Sequence, residues 1–186
     1  MSEQTNVIKA QQSARRLPRR YRPAGLALAA VLVAATPIAL AVDGCLVLLC
    51  LAAPSWSAIA QCVPPVTQVL RDLARGRPFP TCAMAGAGNQ ASLQWANAPT
   101  NCPAQYTSET QSVNSTIYGC AYDGVVTVDI EGSPWSRTWW SMGGNTVTEF
   151  SPTAKARMGS WNTKFDDDQA AWLASLPPPP PPCPTC

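Results

Sequence analysis

Eight cysteines and no histidine set the chemistry open to this chain. Without an imidazole there is no Ser-His-Asp or Cys-His nucleophile system and no histidine-ligated metal. The cysteines are Cys45, Cys50, Cys62, Cys82, Cys102, Cys120, Cys183 and Cys186. All follow an export-type leader, and an even number in an exported chain reads as a disulfide framework, with buried thiols as the alternative. Sequence alone does not choose among the pairings. Cys183 and Cys186 have the Cys-x-x-Cys spacing of a redox couple. They follow a run of prolines instead of opening a helix, so a local structural disulfide is the stronger reading. Zinc held by four thiolates needs a second such pair, which the sequence lacks. No metal or other cofactor is expected.

The remaining acid–base groups are carboxylates. Glu109, Asp123, Asp129, Glu131 and Glu149 include no pair singled out by spacing, whereas glycan cleavage needs two carboxylates across one cleft. Asp166, Asp167 and Asp168 lack the spaced ligands of a calcium loop. No catalytic residue is nominated, and a non-enzymatic protein is expected. The most unusual cluster is Trp135, Arg137, Trp139 and Trp140. On a strand, Trp135, Arg137 and Trp139 share one face and Trp140 takes the other. One reading is core packing with Arg stacked between rings. The other is a partner-binding surface, since Trp with Arg is the composition of interface hot spots. A sugar platform would use the same residues.

These groups need elements to position them. Residues 1–22 hold Lys9, Arg15, Arg16, Arg19, Arg20 and Arg22 against Glu3, residues 24–42 carry no charge, and Ala39-Leu40-Ala41 is an A-x-A pattern. This is the order of a signal peptide, with cleavage expected after Ala41. The alternative is an uncleaved anchor of residues 24–42 in the inner membrane. Six of the thirteen basic and one of the eleven acidic residues lie in 1–41, leaving seven and ten, a net charge of −3. That balance argues against a nucleic-acid partner, which needs clustered Lys and Arg.

Residues 42–53 are nearly continuous apolar sequence and predict a short buried helix ended by Pro54. Cys45 and Cys50 point to different sides of it and should take different partners. Pro64 and Pro65 open a second helix with Val66, Val69, Leu70 and Leu73 on one face, stopped by Gly76. Leu93 and Trp95 sit in an Ala-rich segment that suggests another short helix. Val126, Val128 and Ile130 alternate in a strand, followed by turns at Gly132-Ser133-Pro134 and Gly143-Gly144-Asn145, which gives a three-stranded antiparallel meander. Ser151 to Gly159 reads as a capped short helix, and the three Asp begin another. Residues 177–182 are six prolines, a polyproline II rod. The expected fold is α+β: disulfide-stapled short helices plus a small antiparallel sheet. The parts are 1–41 signal peptide, 42–103 cysteine-rich helical part, 104–176 antiparallel sheet with flanking helices, and 177–186 tail.

Cys45-x4-Cys50-Leu51, Cys62 leading into a helix, and Asn101-Cys102-Pro103 together resemble the TrbM/KikA family of conjugal-transfer proteins. The likeness is best over residues 43–103. It implies a small exported, cysteine-rich accessory of a conjugative DNA-transfer or type IV secretion apparatus in the periplasm, with other apparatus proteins as partners. The family supplies no catalytic residues to carry over. The alternative is a periplasmic protein that binds or cleaves peptidoglycan, favoured by the tryptophans and carboxylates. A weaker third reading is disulfide handling by Cys183 and Cys186. Membrane contact is expected only through an uncleaved leader.

Overall fold

The computed structural model describes residues 42–178. The leader with its expected cleavage, Cys183, Cys186 and most of the proline run lie outside the described residues. The elements are α1 (Gly44–Ala52), α2 (Val63–Ala74), β1 (Gln90–Trp95), β2 (Thr107–Ser112), β3 (Ser115–Cys120), β4 (Gly124–Ile130), β5 (Ser133–Trp140), β6 (Thr146–Phe150), α3 (Pro152–Met158) and α4 (Lys164–Ser175). The fold is α+β, with disulfide-stapled helices against antiparallel sheet. Among the described residues no helix is long and apolar enough to cross a membrane.

The helices form where local chemistry directs them. Asp43 caps α1, its carboxylate accepting from the Cys45 and Leu46 backbone N–H groups. Prolines sit in the first turn of α2, and its buried residues are Val66, Val69, Leu70 and Leu73, the predicted stripe. Ser151 caps α3 by accepting from Ala154 N, and Gly159 ends it at φ 75°. Trp56 lies in a short 3-10 turn after Pro54, without a Ser55 side-chain cap.

Among the described residues there are three disulfides: Cys45–Cys82, Cys50–Cys62 and Cys102–Cys120. Cys45 and Cys50 do take different partners. Cys50–Cys62 ties α1 to the start of α2. Cys45–Cys82 draws α1 against the segment before β1, so closely that a Cβ on Gly44 would strike the Pro80 and Thr81 carbonyls. Such bonds form and persist in oxidising compartments, the chemistry of an extracellular or periplasmic protein.

The expected meander is present as β4, β5 and β6, but the sheet has a fourth strand, in the order β1-β4-β5-β6. Residues 90–95 are β1, not the short helix their alanine content suggested. Leu93 lies opposite Val126, and Ala91 opposite Val128. This packing overrides a weak helical preference. The sheet therefore draws a strand from the part read as helical. A separate hairpin, β2–β3, has no counterpart in the sequence reading, because its strands are polar and lack apolar alternation. Cys102–Cys120 ties its base to the loop after β1.

Each face of the four-stranded sheet has its own core. On the first face, Val126, Val128 and Trp140 pack with Val47, Leu51, Val66 and Leu73 of α1 and α2. On the second, Val125, Trp139 and Val147 pack with Tyr122 and with Phe165 of α4. Alternation along β4 and β5 sends successive residues to the two cores.

Candidate functional site

The tryptophan cluster does not form one exposed platform. Trp139 and Trp140 are 3% and 1% exposed and are core residues on opposite faces. Trp135 does not share a face with Arg137 and Trp139. The β4–β5 register shifts between Val128, opposite Ser136, and Asp129, opposite Pro134. Trp135 is the extra residue of this bulge, and bulges re-aim side chains. Its indole N–H donates to the Ala52 carbonyl at 2.8 Å, while the Ser136 hydroxyl donates to Leu51 O at 2.9 Å. Both satisfy carbonyls at the C-terminal end of α1, which have no partner within the helix. The cation over Trp135 is Arg157 of α3, at 5.3 Å from the ring centre, not Arg137. Alternation predicted the wrong face for Trp135 because a bulge leaves no mark in residue types.

Arg137 is exposed and stands directly opposite Glu149 of β6 on the second face. Among the described residues, no ion pair or hydrogen bond involves either side chain. Burial pushes the Glu149 carboxyl above its ordinary value, with Arg137 and then Lys155 opposing that rise. The two side chains form one wall of a cleft of about 250 Å³. The floor is Trp139, stacked on Phe165 with ring centres 5.5 Å apart and 14° between planes. Gln169 and Trp172 of α4 also line the cleft, as do Thr100 to Gln105, a segment that ends in a 3-10 turn at Ala104–Tyr106. A second hollow of about 240 Å³, beside Trp135 and Pro152, shares Arg137 and Glu149.

The walls are held from behind. Asn101 donates to Trp95 O and accepts from Asn97 N, and its own carbonyl accepts from the Trp139 indole at 3.0 Å. Cys102, next in the chain, is bonded to Cys120. The α4 side is fixed by Asp168, which accepts from Tyr106 Oη and from Lys164 Nζ, both at 2.6 Å. Hydrogen bonds from Lys164 and Tyr106 lower the Asp168 carboxyl below its ordinary value. Burial, and then the bond to Asp168, drive the Tyr106 phenol upward. Asp166 accepts from Lys155 at 2.6 Å and from the Trp161 indole at 2.8 Å. Burial raises Asp166, but these bonds outweigh it and the carboxyl ends below its ordinary value. Asp166 and Asp168 thus bond different cations.

The other carboxylates of the sheet and hairpin do not converge on this cleft. Asp123 accepts from Met142 N, Asp129 from Gln90 and Glu109 from Gln111, and Glu131 pairs with Arg157. Glu149 alone of that set lines it. The signal that pointed here was Arg137 and Trp139. Gln105, Gln169 and Trp172 were not singled out, since they reach the cleft from loop and helix by tertiary contact.

No protein-family model, curated protein or solved structure matches this chain. The cleft itself offers a guanidinium, a carboxyl, side-chain amides and indole rings. Such groups form hydrogen bonds and ring contacts.

Proposed function

We propose that this chain is an exported, disulfide-bonded accessory protein of a conjugative DNA-transfer or type IV secretion apparatus, acting in the periplasm by binding other proteins and not as an enzyme. The observation that supports it is the structural use of the residues that carry the resemblance to TrbM/KikA. Cys50 and Cys62 join α1 to α2, Cys45 anchors α1 to the chain before β1, and Asn101-Cys102 holds the loop beside Trp139. Those residues form the frame on which the second half is built. The exposed portion of the tryptophan cluster available to a partner is Arg137 with the accessible edge of Trp135.

The experiment is mating frequency from a donor lacking this chain, complemented with the full-length protein or with one lacking residues 1–41. Transfer should fall in the deletion strain and be restored only by the form carrying the leader. Unchanged transfer in the deletion strain removes the proposal.

A second reading, binding of peptidoglycan, is favoured by the cleft that Arg137 and Glu149 line together with Trp172. Co-sedimentation of the purified protein with isolated sacculi tests it, and a protein that stays wholly in the supernatant overturns it.

A further inference from the structure

We propose that the cleft lined by Arg137 and Glu149 binds one ring of a neutral, N-acetylated glycan. This rests on the second reading above and names its site and ligand class.

The first argument is charge. Arg137 and Glu149 face each other across β5 and β6 and lie on one wall. A free anion meets the carboxylate, and a free cation meets the guanidinium, so neither full charge is selected. A guanidinium only donates hydrogen bonds and an ionised carboxylate only accepts them. A neutral ligand bearing both acceptor and donor groups side by side satisfies the pair. Adjacent sugar hydroxyls do this, and so does an acetamido group.

The second argument is an unmatched donor. Gln105 lines the cleft, and its Nε2 is buried without a hydrogen-bond partner among the described residues. A buried donor left unpaired is costly, and native proteins rarely keep one. Gln105 as a whole is part-exposed, and an acceptor oxygen brought by the ligand removes that cost once the side chain turns its amide into the cleft. The Asn101 side chain does not compete for this role, because both ends of its amide are occupied by the backbone of Asn97 and Trp95.

The third argument is surface. Trp172 lines the cleft half-buried, and Trp139 forms the floor with its N–H already donated to Asn101 O. Trp139 is buried and adds no free face, so the apolar ring open to a ligand is that of Trp172. The C–H face of a sugar ring is its complement. The volume of about 250 Å³ is below the ~300–1,000 Å³ typical of sites for drug-sized ligands, which suits a single ring of a chain entering along the adjoining hollow.

The test is calorimetric titration of the full exported chain with the β-1,4-linked tetramer of N-acetylglucosamine, alongside co-sedimentation with sacculi. The wild type should bind the tetramer, and Arg137→Ala and Gln105→Leu should each weaken it by about tenfold or more, the size expected for a bond to a charged or buried partner. Arg75→Ala, at the C-cap of α2, serves as the unchanged control. Near-ultraviolet circular dichroism verifies that each variant is folded, and Trp172→Ala supplies a further cleft variant if one fails. Binding to sacculi without binding to the tetramer overturns this assignment and leaves the peptidoglycan reading standing. Tetramer binding that both Arg137→Ala and Gln105→Leu retain overturns the site. Binding to neither ligand overturns the assignment and the reading together.

Discussion

Trp139 and Trp140 are consecutive in the chain and belong to different cores. Trp139 stacks on Phe165 of α4, while Trp140 lies among α1 and α2 residues with its ring centre 5.8 Å from that of Trp95. Each holds a separate helical layer to the same sheet. Trp139→Ala and Trp140→Ala should each cost about 3–5 kcal/mol in urea unfolding. Arg137→Ala, two residues before Trp139 and in neither core, should change stability by less than about 0.5 kcal/mol. Equal losses for Arg137 and Trp139 would contradict the assignment of faces.

The space for Trp140 depends on Gly124. A Cβ added there would lie 2.5–2.8 Å from atoms of the Trp140 indole. The ring is fully buried and cannot move aside. Gly124→Ala should therefore destabilise by about 1–3 kcal/mol through overpacking, visible as a lower urea midpoint. A midpoint unchanged from wild type would show that the ring has room to shift.

The disulfides should not contribute equally. On the chain-entropy account, each contributes about 2–4 kcal/mol and the longest closed loop contributes most. Cys45–Cys82 spans 37 residues, Cys102–Cys120 spans 18 and Cys50–Cys62 spans 12. Paired Cys→Ser variants should lose stability in that order. Peptide mapping without reduction should recover these three linkages, and recovery of a Cys45–Cys50 bond would contradict the fold.

Acid should act on the α4 contacts with a definite sign. Asp166 and Asp168 have folded-state values below the ordinary carboxylate range. The unfolded chain binds protons first as pH falls, so their stabilisation is full above that range and is lost as pH drops through the folded values. Glu149 runs the other way: its contribution is full below the ordinary carboxylate range and is lost as pH rises from that range through its raised folded value. Asp168→Asn should lower stability at neutral pH by at most about 1 kcal/mol, since the pair is largely exposed, and should flatten the acid limb of a melting-temperature profile. Glu149→Gln should remove a cost at neutral pH and leave that acid limb in place. An unchanged acid limb in Asp168→Asn would remove Asp168 from the account.

Much of the framework follows from local patterns in the chain. The apolar run after Asp43, the stripe Val66-Val69-Leu70-Leu73, the caps Ser151 and Gly159, and the alternation in β4 to β6 are each set by neighbours within a few residues. The cysteine count and the absence of histidine likewise fix the class of chemistry before any folding is considered. Other features depend on contacts between residues far apart. Residues 90–95 become a strand only because β4 offers Val126 and Val128 opposite Leu93 and Ala91. Trp135 turns toward α1 because a bulge inserts it, and its indole then finds the Ala52 carbonyl 83 residues away. The disulfide pairs depend on which helices pack together, which spacing does not encode. The cleft gathers Arg137 and Glu149 from adjacent strands, Gln105 from a loop and Trp172 from α4. No local rule joins these four, since periodicity governs which face a residue takes and only packing governs what it meets there.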